Sequence, residues 1–211
     1  MNGKEFNRFL VSALFVVPTG SLDGWKSLGF NKIPQNNVSI IDAKWLQVEV
    51  EKSASPLIYK LPEIKKVSKL LVQFNTVGDI SKLNSDQFPE DFLLRIGLVV
   101  KGDRKLGWFQ KKIAAQWVIE LFKLAPENIG LDKIYFYNFA ASKELLGQKR
   151  QHPKSDLMLE EVVGHFSGKK SYEYVLPKPL EVVAVWISID GDDTKSQFKT
   201  TIESLILETV D

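Results

Sequence analysis

Residues 181–208 read EVVAVWISIDGDDTKSQFKTTIESLILE, and this stretch decides the fold class. Val183, Val185, Ile187 and Ile189 recur at every second position, which aligns them on one face of an extended strand. Ala184, Trp186 and Ser188 fall on the other face. An acidic turn follows, and residues 202–207 run back as a second apolar, β-branched strand. A buried strand, a polar turn and a returning strand belong to an antiparallel sandwich.

The chain on the N-terminal side repeats that pattern. Residues 45–51, WLQVEVE, alternate strictly, with Leu46, Val48 and Val50 on the inward face and Gln47, Glu49 and Glu51 outward. After a Ser-Ala-Ser-Pro interruption, residues 57–61 resume, and residues 69–75 alternate again through Leu70, Val72 and Phe74. Residues 91–100 are nearly apolar throughout, as suits a central strand. Residues 133–139, KIYFYNF, form an aromatic strand with Tyr135 and Tyr137 on one face and Ile134 and Phe136 on the other. Helical spacing occurs at residues 110–124, where Ile113, Trp117, Leu121 and Leu124 make one stripe and Pro126 closes the segment. The reading is a mainly β chain: an antiparallel β-sandwich with strands at 45–51, 69–75, 91–100, 133–139, 181–189 and 201–207, and one prominent helix.

At 211 residues and 44% hydrophobic content the chain can bury a full core, and a single domain over residues 1–211 is expected. Twenty-eight Lys and Arg stand against 26 Asp and Glu, so no global field points to nucleic acid or to an anionic membrane. The absence of cysteine removes disulfides, thiolate nucleophiles and Cys-ligated zinc together. Residues 1–21 admit two readings: Lys4 and Arg8 precede the apolar run FLVSALFVV, which suits either a secretory signal or a buried first strand. No apolar run approaches the roughly 20 residues that a membrane-spanning helix needs.

Candidate binding residues follow from parity. A guanidinium in the middle of an apolar strand needs a partner or a cavity, which singles out Arg95. Trp186 shares the non-core face of its strand with the small residues Ala184 and Ser188, and Arg95 sits beside Gly97 on the corresponding face of its own. Trp186 and Arg95, extended by Tyr135 or Tyr137, would form a ligand platform; the competing reading covers that face with the helix and makes it a second core. Asp190, Asp192 and Asp193 surround Gly191 and could wrap calcium, although Asp-Gly is also a common hairpin turn. Lys149, Arg150, His152 and Lys154 form a basic loop that could meet a phosphate or stay solvated.

Catalytic patterns are incomplete. In residues 164–168, GHFSG, the glycines fall three before and one after Ser167, not two and two as a nucleophile elbow needs. With His152 and His165 alone there is no histidine metal triad, and no phosphate-binding glycine motif occurs. Glu49 with Glu51, or Glu160 with Glu161, could serve a glycosidase as paired carboxylates.

The series Trp25, Phe30, Ile33-Pro34, then residues 46–55, then Asp91-Phe92-Leu93-Leu94-Arg95, then Ile134-Tyr135-Phe136, and finally Ile189-Asp190-Gly191-Asp192-Asp193-Thr194 resembles the bacterial exported family catalogued as domain of unknown function three-zero-four-seven. The collinearity spans residues 25–207, with departures at the 110–124 helix and at Tyr-Phe-Tyr of residues 135–137. The resemblance implies a jelly-roll sandwich similar to galactose-binding and lectin-like modules, located in the periplasm or secreted, without an established activity. The expected function is therefore a non-catalytic module with a carbohydrate partner. The alternatives are a protein-interaction or cell-envelope structural module and, further off, a glycoside-active enzyme.

Overall fold

The computed structural model describes residues 12–80, 88–126, 128–153, 155–165 and 168–211. Met1 to Val11, Lys154 of the basic loop, and Phe166 and Ser167 of the rejected elbow lie outside the described residues. The strands in chain order are β1 (Ser12–Val16), β2 (Trp25–Ser27), β3 (Asn37–Ile41), β4 (Trp45–Glu51), β5 (Leu57–Asp79) and β6 (Leu94–Gly102), then β7 (Gly130–Ala140), β8 (Lys149–Gln151), β9 (Met158–His165), β10 (Lys169–Ser188) and β11 (Gln197–Val210). Two short helices, α1 (Trp108–Ile113) and α2 (Gln116–Phe122), occupy the β6–β7 connection. The fold is mainly β, as the alternation predicts.

The described strands form one sheet, ordered β3-β4-β11-β5-β10-β6-β7-β9-β8, with β1 beside β11 and β2 beside β5. The sheet becomes a sandwich because β5 and β10 turn a corner together. Residues 67–79 of β5 pair with β11 and with the first half of β10, whereas residues 57–60 pair with β2 and with the second half of β10, from Ala184 onward. Between these halves the register slips. Leu176 to Pro179 bulge opposite Ser68, and Leu61 to Ile64 bulge opposite Val183. Prolines 62, 177 and 179 sit in those bulges, where a missing N–H costs no ladder bond. Two strands read from the sequence, at 57–61 and 69–75, are thus one long strand passing from layer to layer, and the expected 181–189 strand is likewise the second half of β10, which begins at Lys169.

Rings from both layers meet inside. Phe74 of the first layer lies 5.0 Å from Phe139 of the second, Phe139 lies 4.8 Å from Tyr172, and Tyr137 lies 4.8 Å from Tyr174. The main core between the layers contains Leu46, Val48, Val72, Leu94, Ile96, Leu98, Ile187, Ile189 and Ile202. All pairings are antiparallel except β7 with β9, which run parallel.

Two expectations are corrected here. The bulge at Val183 shifts the parity of β10, so Val182, not Val183, joins Val185, Ile187 and Ile189 inside, and Val183 goes with Ala184 and Trp186 to the outer cluster. The helix at residues 110–124 is broken: Ala114 and Ala115 are both extended, with ψ 146° and 147°. Alanine favours helix, so the break is imposed by tertiary structure. Only α2 has something to cover, and Trp117, Val118, Leu121 and Phe122 close the outer cluster over Trp186. Glu120 ties α2 to β2 through Lys26 and is also held by Lys123 at 2.7 Å. Ile113, expected on the same stripe, is 70% exposed.

Candidate functional site: an outer pocket and an inner groove

Register decides which candidate residues meet. Arg95 lies opposite Ser188 on one side and Asn138 on the other, while Gly97 lies between Trp186 and Phe136. Residues directly opposite each other share a sheet face. Arg95 and Trp186 therefore stand together on the outer face, as parity predicts, but their aromatic companion from β7 is Phe136. Tyr135 and Tyr137 belong to the inner side, so neither tyrosine extends the expected platform. Trp186 is 2% exposed and meets Trp117 and Phe136 edge-on, each at 6.1 Å. A Cβ on Gly97 would fall 2.7 Å from the Phe136 ring, so the glycine leaves room for that ring to lie across β6. Trp186 is thus a wall of a packed cluster, not an open stacking surface.

Beside it runs a chain of paired charges. The Arg95 guanidinium pairs with Glu160 through Nη2 and approaches Asp190 at 3.5 Å through Nη1. It also lies over the rings of Phe92 and Phe136, at 5.2 and 4.8 Å. Glu160, whose side chain has no exposed surface, accepts a second bond from Arg150 Nε at 2.5 Å. Arg150 reaches Glu90 at 3.0 Å, and Glu90 meets His152 at 3.5 Å. The His152 hydrogen bond, joined by Arg150, holds the Glu90 carboxyl down to about 2. The basic loop is therefore no phosphate cradle: Lys149 and Arg150 are strand residues committed to carboxylates, Lys149 to Glu161 at 3.0 Å.

Asp190 behaves differently. Ser188, two residues away on the same face, donates its hydroxyl to the carboxylate at 2.8 and 2.9 Å. Burial nevertheless raises the Asp190 carboxyl to about 6, because Arg95 shares its charge with Glu160, and Asp91 and Asp192 add repulsion. The folded protein thus keeps a proton that the unfolded chain, with the ordinary aspartate value of 3.8, releases. Stability from this group is therefore lost as pH rises from about 4 to about 6, by about 3 kcal/mol. Glu90 acts with the opposite sign, and its contribution is lost as pH falls below its unfolded value of 4.5 toward 2. Urea melts between pH 4 and pH 7 should show stability declining with pH, and Asp190→Asn should flatten that decline.

The outer pocket, about 290 Å³, opens next to these groups. Phe30, Ile33, Trp117, Met158 and Trp186 supply apolar walls, and Glu90, Arg95, His152, Asp190, Asp192 and Asp193 supply the polar ones. The turn is fixed by Asp91, which accepts from the Thr194 amide at 2.7 Å and hydroxyl at 2.6 Å. Among the described residues, carboxylate oxygens of Asp91, Asp192 and Asp193 lie within 4.8 Å of one another and could together hold a cation. This corrects the expected set, because Asp190 is taken by Ser188 and Arg95 and Asp91 replaces it. Burial, then Asp193 and Asp91, raise the Asp192 carboxyl.

An inner groove of about 410 Å³ lies between β7, β9 and β8 and the bend of β10. Tyr135, Tyr137, Leu159 and Leu180 line it, with Lys149, Gln151 and Glu161 at its polar side. Burial raises the phenols of Tyr135 and Tyr137. The candidate carboxylate pairs do not assemble a hydrolytic site. Glu160 and Glu161, adjacent on β9, point to opposite faces, and Glu49 is paired with Lys199 at 2.8 Å.

Glu90, Asp91 and Phe30 were not singled out as site residues: Glu90 and Phe30 come from connections with no periodic pattern of their own, and Asp91, expected to open the 91–100 strand, lies before β6, which begins at Leu94. A buried Arg95 was the one sequence signal that acidic partners had to exist.

No family model and no curated protein matches the sequence. Among solved structures, the chain is similar to a family 11 carbohydrate-binding module from Clostridium thermocellum in complex with a β-1,3-1,4-mixed-linked tetrasaccharide, at 9% identity and TM-score 0.45, over 92% of this chain and 94% of that one. It is also similar to a family 29 carbohydrate-binding module from Piromyces equi, at 11% identity and TM-score 0.39, over 94% and 91%. Likeness at this level assigns neither ligand nor activity.

Proposed function

We propose that the chain is a non-catalytic carbohydrate-binding module whose ligand occupies the outer pocket. One observation carries the reading: Trp186, Arg95, Asp190, Asp192 and Asp193, each singled out for its chemistry, line a single cavity. A sugar ring offers an apolar C–H face and a rim of hydroxyls. The half-buried rings of Phe30 and Trp117 suit the first, and the Asp192 and Asp193 carboxylates with His152 suit the second. At about 290 Å³ the pocket has room for a single ring or a chain end, not for a long polymer. Export, implied by the resemblance to the exported family, is part of the proposal.

A glycan array followed by fluorescence titration tests it, because Trp117 and Trp186 would report occupancy. Binding of a neutral saccharide is expected, with the protein recovered outside the cytoplasm on fractionation. Asp192→Asn with Asp193→Asn should weaken binding at least about tenfold, the equivalent of losing one or two charge-assisted hydrogen bonds. Binding that survives this pair but is lost in Tyr135→Ala would move the ligand to the inner groove. No binding to any saccharide would leave the protein-interaction or envelope-structural reading.

A further inference from the structure

The β6–β7 connection leaves the sheet after Gly102 and returns at Gly130, and Arg104 and Leu131 are bridged at its base. Helix α1 in this connection buries none of its residues. Trp108 is 74% exposed, Phe109 65% and Ile113 70%. Phe109 and Ile113, four residues apart, form one stripe of the helix, and Trp108 lies beside it. Among the described residues these side chains join no core cluster, and α2 already supplies the cover for the outer cluster through Trp117 and Leu121.

The charge carried by α1 itself is basic. Residues 104–119 contain Arg104, Lys105, Lys111 and Lys112 and no Asp or Glu, in a chain whose net charge is only +2. Arg104 is paired with Asp156 at 2.6 Å. Lys105 donates to the carbonyl of Asn128 at 2.9 Å, and Lys112 sits 3.8 Å from the centroid of the Trp108 ring. Among the described residues, neither Lys111 nor Lys112 has a carboxylate partner.

We propose that α1 is a membrane-surface anchor. Trp108, Phe109 and Ile113 enter the headgroup region of an anionic bilayer while Lys111 and Lys112 pair with lipid phosphates. An indole suits the boundary between water and hydrocarbon, since its ring is apolar and its N–H can stay hydrated. Lysine stems lie along apolar surface and keep the ammonium at the phosphate level. A six-residue helix is about 9 Å long, enough to lie in the interface and far too short to cross it. No helix of the described residues is long and apolar enough to span a membrane. A protein partner would be met by the same apolar side chains, but Lys111 and Lys112, two adjacent cations on α1 without a carboxylate partner among the described residues, favour a polyanionic surface. The anchor shares no residue with the outer pocket, so it stands or falls apart from the carbohydrate reading.

Co-sedimentation of the full chain with large vesicles tests it, comparing pure phosphatidylcholine with an equal mixture of phosphatidylcholine and phosphatidylglycerol. The protein is expected to pellet with the anionic vesicles at low salt and to be released at high salt, and to ignore the neutral ones. The double substitution Trp108→Ala with Phe109→Ala, and separately Lys111→Glu with Lys112→Glu, should each lower partitioning by at least about tenfold. Since α1 buries nothing, both variants should melt with the wild type, which separates lost anchoring from lost folding. Equal partitioning onto both vesicles, or variants that bind like the wild type, would overturn the proposal. So would a failure to bind vesicles accompanied by self-association that the aromatic double substitution abolishes, since α1 would then be a contact between copies of the chain.

Discussion

Replacing Trp186 by alanine is expected to destabilise the protein by roughly 3–5 kcal/mol, the cost of removing a large ring from a closed cluster. The ring is 2% exposed, with Trp117 and Phe136 edge-on to it and Ile58, Val99 and Leu121 in the same cluster. The site cannot collapse easily. Below the ring lies a sheet face fixed by β5 and β6, which flank β10, and above it α2 is tied down by Glu120 to Lys26. At roughly 2–4 °C per kcal/mol for a chain of this size, the melting temperature should fall by roughly 6–20 °C. Trp186→Phe should cost less, because a six-membered ring keeps most of the contact. An alanine variant that melts within 2 °C of the wild type would show that the ring packs nothing, and the outer cluster would have to be abandoned as a second core. Because this substitution acts on folding, Trp117 and the turn carboxylates, not Trp186, are the residues through which ligand binding should be probed.

How much of this was legible in the sequence depends on the range of the interaction concerned. Strict alternation in Trp45–Glu51 is a property of seven adjacent residues, and β4 has those bounds. Arg95 and Trp186 were placed on one face by parity alone, because β6 and β10 keep a regular register between Ile187–Ile96 and Ser188–Arg95. Parity failed where the register slips. A bulge opposite Val183 exchanges Val182 for Val183, and no residue type in EVVAV announces it. Tyr135 and Tyr137 were assigned to the wrong side of the site for a related reason: the face of β7 that joins Arg95 depends on the pairing Arg95–Asn138, a contact across 43 residues of chain containing both helices. The break between α1 and α2 falls at two alanines, residues with no reason of their own to end a helix. Asp91 entered the turn cluster because the segment before β6 passes beside Thr194, more than a hundred residues later. The chemistry of single residues was readable, and the company they keep was readable only where strand periodicity carried it.

The second large effect is expected at Glu160, the residue that joins the two arginines. Glu160→Gln keeps the shape of the side chain and removes its charge, leaving Arg95 with Asp190 at 3.5 Å as its remaining anion and Arg150 with Glu90 at 3.0 Å. The side chain is fully enclosed, so water cannot replace the lost charge, and breaking a buried pair from one side costs roughly 3–5 kcal/mol. Arg95 bears more of this than Arg150, since its Nε is already without a partner and its side chain is half as exposed. The substitution should also register at Asp190. With Glu160 neutral, the Arg95 charge is no longer shared, so the Asp190 carboxyl should move down from about 6 and the loss of stability between pH 4 and pH 6 should shrink. A purely steric defect would leave that pH profile unchanged. Removing both charges together, as Arg95→Met with Glu160→Leu, should cost less than the sum of the single changes, with a coupling of roughly 1–3 kcal/mol. In that double variant Asp190 loses its cation, but a carboxyl with a raised pKa can take up a proton and remain buried as a neutral hydrogen-bond partner of Ser188. Additive single and double effects by urea denaturation would mean that Arg95 and Glu160 act independently, and the chain from Asp190 to His152 would not be one network.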